Sequence, residues 1–331
     1  MSYKLHRDYL QKAVLKIEPS NFEALAMEIF LFQAKYNTVY KHYLHLLNID
    51  PLTVNAVHDI PFLPINLFKS HKIQTGTWQP KGLFSSSGTT GALTSKHYYQ
   101  DLNLYRMNAR RAFVDNYGKL SNWRILALLP AYLERKGSSL IFMVDDFIQQ
   151  SQHPESGFFL DDFDHLKTLL QDQSVPTLLL GVSFALWDLA EQGQLNLSNT
   201  IVMETGGMKG RREEITRTHL RAILKNVFAV DRIHSEYGMT ELFSQAYSKG
   251  NGIFQPSPTM QVLARDVTDP FASVKNGKTG VLQVIDLANI DSISFIATED
   301  LCKCHENGTF EILGRLDNSD IRGCNLLVLN D

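Results

Sequence analysis

The stretch TLLLGVSFALWDLAEQGQLNLSNTIVM, residues 177–203, decides the fold class. Thr177–Gly181 is an apolar run of strand length, and Phe184–Ala190 carries apolar residues at helical spacing. Ile201–Met203 is strand-like again. Strand, helix and strand in that order form a βαβ unit, whose two strands run parallel. Working outward, Ile125–Leu129 and Asn226–Val230 are further strand candidates. Leu104–Tyr117, Phe163–Leu170 and Glu213–Leu224 are the intervening helices. The expectation is an α/β fold: parallel-rich sheets flanked by helices.

The two ends read differently. Ser20 with Glu23 forms a capping box, predicting a helix start. Phe22, Leu25, Ala26, Ile29, Phe32, Tyr36, Val39 and Tyr43 then recur at helical spacing toward Pro51. Ile60-Pro61-Phe62-Leu63-Pro64 is too proline-rich for regular structure and reads as an extended connector. Beyond residue 250, Gly280–Ile285, Ser292–Thr298 and Thr309–Leu313 predict a short antiparallel meander. The expected organisation is a helical N-terminal cap over 1–57 and an α/β body for nucleotide and acyl binding over 58–250. A β-rich part of the same domain covers 251–331.

Composition excludes several function classes. The 331 residues hold 32 Lys+Arg against 35 Asp+Glu, a net charge of −3, which argues against a large nucleic-acid face. Hydrophobic residues make up 44%, far too many for a disordered chain. Three cysteines are too few for a disulfide framework. No run reaches the roughly 18 apolar residues of a membrane span; Ile125–Val144 is broken by Glu134, Arg135 and Lys136. The start, MSYKLHRDYL, lacks the apolar core of a signal peptide, so a cytoplasmic location is expected.

Four segments carry chemistry. Phe84-Ser85-Ser86-Ser87-Gly88-Thr89-Thr90-Gly91 offers backbone N–H groups and hydroxyls dense enough to wrap a polyphosphate, though a plain surface loop has the same composition. It is no Walker A loop, because Gly-Lys-Ser/Thr does not follow. In Glu236-Tyr237-Gly238-Met239-Thr240-Glu241 the tyrosine can stack on a purine, the threonine can donate to a phosphate, and the glutamate can hold Mg²⁺. The bland alternative is a strand-to-helix turn. Thr298-Glu299-Asp300 presents a carboxylate suited to ribose hydroxyls, and Gly314-Arg315-Leu316-Asp317 a guanidinium that forks onto ribose or phosphate oxygens.

In this order the four segments resemble the adenylate-forming (acyl-activating) superfamily. The closer likeness is to its acyl-protein synthetase (LuxE-type) branch, with phenylacetate-CoA ligases as cousins. Phe68-Lys69, Glu204-Thr205-Gly206-Gly207-Met208-Lys209-Gly210 and Ile321-Arg322-Gly323-Cys324-Asn325 add to it. The resemblance implies that Ser86, Ser87, Gly88, Thr89, Thr90 and Gly91 hold the phosphates of ATP. It implies that Gly206 and Gly207 back the adenine, and that Tyr237 stacks on it. Thr240 would contact the α-phosphate, Glu241 would ligate Mg²⁺, and Asp300 would bind the ribose with Arg315 nearby. Cys324, beside Arg322, would be the thiol that accepts the acyl group, although a buried strand cysteine fits Leu326–Leu329 as well.

The implied activity is ATP-dependent adenylation of a carboxylic acid, by resemblance a fatty acid, followed by transfer to a protein thiol. An acyl-accepting reductase or carrier protein would be the partner. The superfamily's lid and its lysine are expected to be absent, leaving Lys96, Lys209 or Arg315 to neutralise charge. Two rival readings keep the fold: an ATP-independent acyltransferase, and a nucleotide-binding subunit without catalysis. Cys302-Lys303-Cys304-His305 is read as two strand cysteines sharing a face rather than a zinc site, and Gly181-Val182-Ser183-Phe184 as a stretch able to line an acyl pocket.

Overall fold

A computed structural model describes residues 2–86, 93–129, 137–160, 162–206 and 216–316. The chain opens with helices α1 (Tyr3–Leu15), α2 (Phe22–Tyr36) and α3 (Thr38–Leu46), then β1 (Leu63–Pro64), α4 (Leu67–Ser70), and the ribbon β2 (Gly82–Ser85) and β3 (Lys96–Tyr99). Helix and strand then alternate: α5 (Asn103–Tyr117), β4 (Arg124–Leu128), α6 (Ser139–Ser151), β5 (Gly157–Phe158), α7 (Phe163–Gln171), β6 (Thr177–Val182), α8 (Ser183–Glu191), β7 (Thr200–Thr205), α9 (Arg217–Phe228) and β8 (His234–Tyr237). Six strands follow: β9 (Ala246–Ser248), β10 (Ile253–Pro256), β11 (Met260–Arg265), β12 (Thr279–Asp286), β13 (Phe295–Cys304) and β14 (Phe310–Arg315).

Strands β4 to β8 pair in parallel, in the order β5-β4-β6-β7-β8. Every residue of β4 and β6 is buried, because helices cover both faces, and this is why they read as unbroken apolar runs. At β8 the direction reverses. β9, β10, β14, β13, β12 and β11 continue the same ladder antiparallel, and β1 adds to β13 in parallel. The proline-rich Ile60–Pro64 is thus extended as expected, with its last two residues serving as a short strand.

Three expectations need correction. Asn226–Val230 is not a strand: Leu220, Leu224 and Phe228 continue one buried helical face, so α9 runs to Phe228 and stops where Ala229 turns left-handed (φ 51). The strand is His234–Tyr237 instead. The N-terminal capping box is Glu18 with Asn21, around a short 3₁₀ turn that begins at Pro19, and α2 starts at Phe22. The long helix from Phe22 breaks at Asn37. That side chain is fully buried, accepts from Tyr40 N at 3.0 Å and donates to Ser292 O at 2.9 Å, so it caps α3 rather than continuing α2.

The helical cap is fastened to the β12–β13 connection. Arg7 makes a two-pronged pair with Asp291 at 2.5 and 2.6 Å. The Gln33 amide donates to Asn289 O and accepts from Ser294 N, both within 3.0 Å. Cys302 and Cys304 alternate on β13 and are both buried, on one face as expected. Among the described residues no helix is long and apolar enough to cross a membrane.

Candidate active site

Where the parallel half meets the antiparallel half, a cleft of about 450 Å³ opens. The carboxyl ends of the parallel strands supply one wall: Leu129 after β4, Val182 at the end of β6, Thr205 and Gly206 at the end of β7, and Gly238–Glu241 after β8. Ligands gather at such strand ends in α/β sheets. The opposite wall comes from elsewhere: Ser85 and Ser86 at the end of β2, Asn66 and Lys69 around α4, Asp300 on β13 and Arg315 on β14. Six residues singled out in the sequence therefore share one cleft: Ser86, Gly206, Thr240, Glu241, Asp300 and Arg315.

The turn after β8 is held from three sides. Its Gly238 leaves room for Glu236, since a Cβ there would sit 2.5 Å from Glu236 Oε1 and push that carboxylate aside. His97 Nδ1 lies 2.8 Å from the carbonyl of Thr240, which can only accept, so that nitrogen carries the proton. Burial between Phe68 and Phe243 lowers the pKa of His97 to about 4, keeping the ring neutral at physiological pH. Asn289 Nδ2 donates to Glu241 O at 2.7 Å. Just beyond, the buried Asp286 accepts from Phe243 N at 2.6 Å, Ser244 N at 3.0 Å and Ala288 N at 3.0 Å. Burial raises its pKa to about 6 against these bonds.

The carboxylates of the cleft are desolvated. Burial pushes Glu241 up, while the Ser95 hydroxyl, Arg315 and Lys69 oppose the shift. Asp300 is likewise raised by burial. It accepts from Tyr237 OH at 2.8 Å, with Arg315 favouring its charged form. Tyr237 itself is 8% exposed and packs edge-on against Phe310 at 5.5 Å and Phe254 at 5.9 Å, so its hydroxyl orients Asp300. Arg315 Nη2 donates to Glu299 Oε2 at 3.0 Å, and Asn66 Nδ2 reaches Glu299 Oε1 at 2.6 Å. Glu236 accepts from Thr205 Oγ1 at 2.6 Å and is raised to about 7 by burial.

Among the described cations, Lys69 and Arg315 line the cleft, whereas Lys96 is exposed on β3 and does not. Lys69 follows Phe68 in one of the resembling stretches, and no local pattern gives it a role; α4 carries it to the cleft. Ser87, Gly88, Thr89, Thr90, Gly91, Gly207, Lys209 and Cys324 lie outside the described residues. A buried carboxylate and a hydroxyl side by side fit Mg²⁺, which takes one or two carboxylates and completes its shell with phosphate and water. No cluster of three or more His, Cys, Asp or Glu suited to holding a metal occurs among the described residues.

No protein-family model matches the chain, and no curated protein matches it. Solved structures do. An open conformation of 2-hydroxyisobutyryl-CoA ligase, in complex with 2-HIB-AMP and CoA, superposes with a TM-score of 0.68 at 10% identity, covering 93% of this chain and 70% of that one. ATP-bound MatB from Rhodopseudomonas palustris gives 0.54 at 16% identity over 70% of this chain and 47% of that one. A long-chain-fatty-acid–CoA ligase from Archaeoglobus fulgidus gives 0.52 at 14% identity over 71% and 51%. The chain thus spans about half the length of several of these structures. The fold is that of the large domain of adenylate-forming enzymes.

Proposed function

We propose that a chain with this fold uses the cleft to activate a carboxylic acid with ATP and Mg²⁺ as an acyl-adenylate, releasing pyrophosphate, and then passes the acyl group to a protein thiol. One observation carries the reading: Ser86, Gly206, Thr240, Glu241, Asp300 and Arg315, drawn from five separate segments, converge on one cleft. Chance would scatter them.

In this reading a carboxylate oxygen of the acid attacks the α-phosphorus as the bond to pyrophosphate breaks. Ser86 and the loop after it hold the phosphates, and Thr240 donates to the α-phosphate. Asp300, oriented by Tyr237, binds the ribose hydroxyls, and Gly206 backs the adenine, its positive φ of 68° turning the chain beneath the base. Glu241 with Thr240 would hold Mg²⁺, which supplies charge neutralisation on the phosphates. Among the described residues, Lys69 and Arg315 are the cations that line the cleft and face the developing charge. A thiolate then attacks the acyl carbon and AMP departs. Cys324 is the acceptor proposed, with a reductase or carrier protein as the eventual recipient. Leu129, Ile141, Met143 and Val182 add apolar lining to the cleft, consistent with a fatty acyl chain.

The test is pyrophosphate exchange into ATP across a panel of carboxylic acids. Acid-dependent exchange is expected, and none with any acid would contradict the reading. Transfer from acyl-CoA without ATP would favour an acyltransferase instead, and nucleotide binding without turnover a non-catalytic subunit. In Cys324→Ser the exchange should survive while hydroxylamine-labile label on the protein vanishes. Label that persists, or maps to Cys302 or Cys304, removes Cys324 from the account.

A further inference from the structure

Two polar side chains in the lining of the cleft stand side by side, and one of them holds a buried acceptor without a partner. Glu236 is 8% exposed and Gln245 3% exposed, and both line the cleft. Thr205 donates to Glu236 Oε2 alone. Glu236 Oε1 turns toward Gly238, 2.5 Å from the position a Cβ would take there, and Gln245 Cγ lies 3.7 Å from that same position. The two side chains are therefore neighbours around one point. Gln245 Oε1 is buried and without a partner. Leu129, Met143 and Val182 line the same cleft, and a purely apolar occupant beside Gln245 would leave its buried Oε1 unmet.

We propose that this part of the cleft receives an acyl chain bearing a hydrogen-bond donor, a hydroxyl or an amine, which Glu236 and Gln245 accept. The proposal rests on the acid-activation reading and narrows its substrate to donor-bearing carboxylic acids, in place of unsubstituted fatty acids. Gly238 supports the assignment, because any side chain at that position would displace Glu236 Oε1. Burial holds Glu236 near the boundary between its two protonation states, at about 7. A hydroxyl can therefore donate to it without forming an ion pair, whereas an amine would bind as an ammonium on the carboxylate. The reacting carboxylate of the substrate lies apart from this pair, toward Thr240. Sites built to bond a substrate O–H or N–H reject analogues lacking it far more strongly than apolar pockets reject a changed chain length.

The test compares acids matched in length and differing only in substituent: unsubstituted, hydroxylated and amino-substituted. Pyrophosphate exchange gives kcat/KM, and the thermal shift produced by each acid without ATP gives a second, activity-free readout. The expected result is a preference of at least about a hundredfold for a donor-bearing acid over its unsubstituted counterpart. Gln245→Leu should erase most of that preference by slowing the donor-bearing acid and sparing the plain one. Glu236→Gln, which keeps the shape, should spare a hydroxylated substrate and abolish use of an amino-substituted one, which identifies the donor. Equal or better use of unsubstituted acids by the wild type would overturn the inference while leaving acid activation intact; it is the outcome expected if Glu236, protonated, donates to Gln245. Absence of exchange with every acid would overturn the acid-activation reading and this inference with it.

Discussion

The parallel half, β4 to β8, and the antiparallel half, β9 to β14, meet along β8 and β9 yet contribute different things to the cleft. From the parallel half come strand ends, the backbone around Gly206 and Gly238, and an apolar wall of Leu129 and Val182. The antiparallel half brings Asp300 and Arg315, and it braces the Thr240–Glu241 turn through Asp286 and Asn289. The cause is burial. Strands covered by helices on both faces carry few charged side chains, and Arg124 and Glu204 are buried there in ion pairs with Glu155 and Arg221, so the parallel half offers function mainly toward its strand ends. An antiparallel strand with one open side carries charge at alternate positions: β13 buries Thr298 and Cys302 while Glu299 stays partly open. The cleft needs both kinds of wall, and neither half contains it.

The comparison can be broken by substitution. Glu241, on the turn both halves support, should give the largest effect: Glu241→Gln keeps the shape and removes the charge, and exchange activity should fall by roughly 10²–10³-fold. A folded variant with near-normal exchange would remove Glu241 from the site.

His97 sharpens the picture by testing what holds that turn. Its pKa is lowered to about 4 in the folded state, against about 6.5 unfolded, so the unfolded chain binds the extra proton first. The contribution is complete above pH 6.5 and is lost as pH falls from 6.5 through 4, a total of about 3 kcal/mol. Denaturant unfolding of the wild type and of His97→Asn across that window should show a steeper acid loss in the wild type. Glu236 and Asp286 titrate with the opposite sign in both proteins and cancel in the difference. Equal slopes would show that His97 is not buried neutral.

The two walls should then separate kinetically. Asp300→Asn, on the antiparallel side, should raise KM for ATP by about 10- to 100-fold, the worth of a charge-assisted hydrogen bond, and leave KM for the acid nearly unchanged. Val182→Phe, on the parallel side, should do the reverse, raising KM for the acid by about tenfold. Both variants shifting both constants equally would mean that the halves do not divide the work.

Legibility in the sequence followed the same division. Thr177–Gly181 and Ile201–Met203 were readable because double burial leaves unbroken apolar runs. Asn226–Val230 misled because Phe228 is apolar for a helix face rather than for a strand, and a short window cannot tell the two apart. Helix α1 gave no reading, its Leu10 and Val14 being too few to mark a face until Arg7 meets Asp291 far along the chain. Of the residues that line the cleft, those inside motifs are legible: Thr240, Glu241, Asp300 and Arg315. Lys69, His97, Asp286 and Gln245 are not, because no local pattern marks them and only the fold brings them to the cleft or to its turn. His97 meets Thr240 across 143 residues.

The most direct test of the account is a crystal structure of the protein grown with saturating ATP and Mg²⁺. The account predicts the nucleotide in the cleft between the two halves, with its ribose hydroxyls on Asp300, its base along Gly206, and its triphosphate between Ser86 and Thr240. A nucleotide bound elsewhere on the chain, or none at saturating ATP, would contradict it.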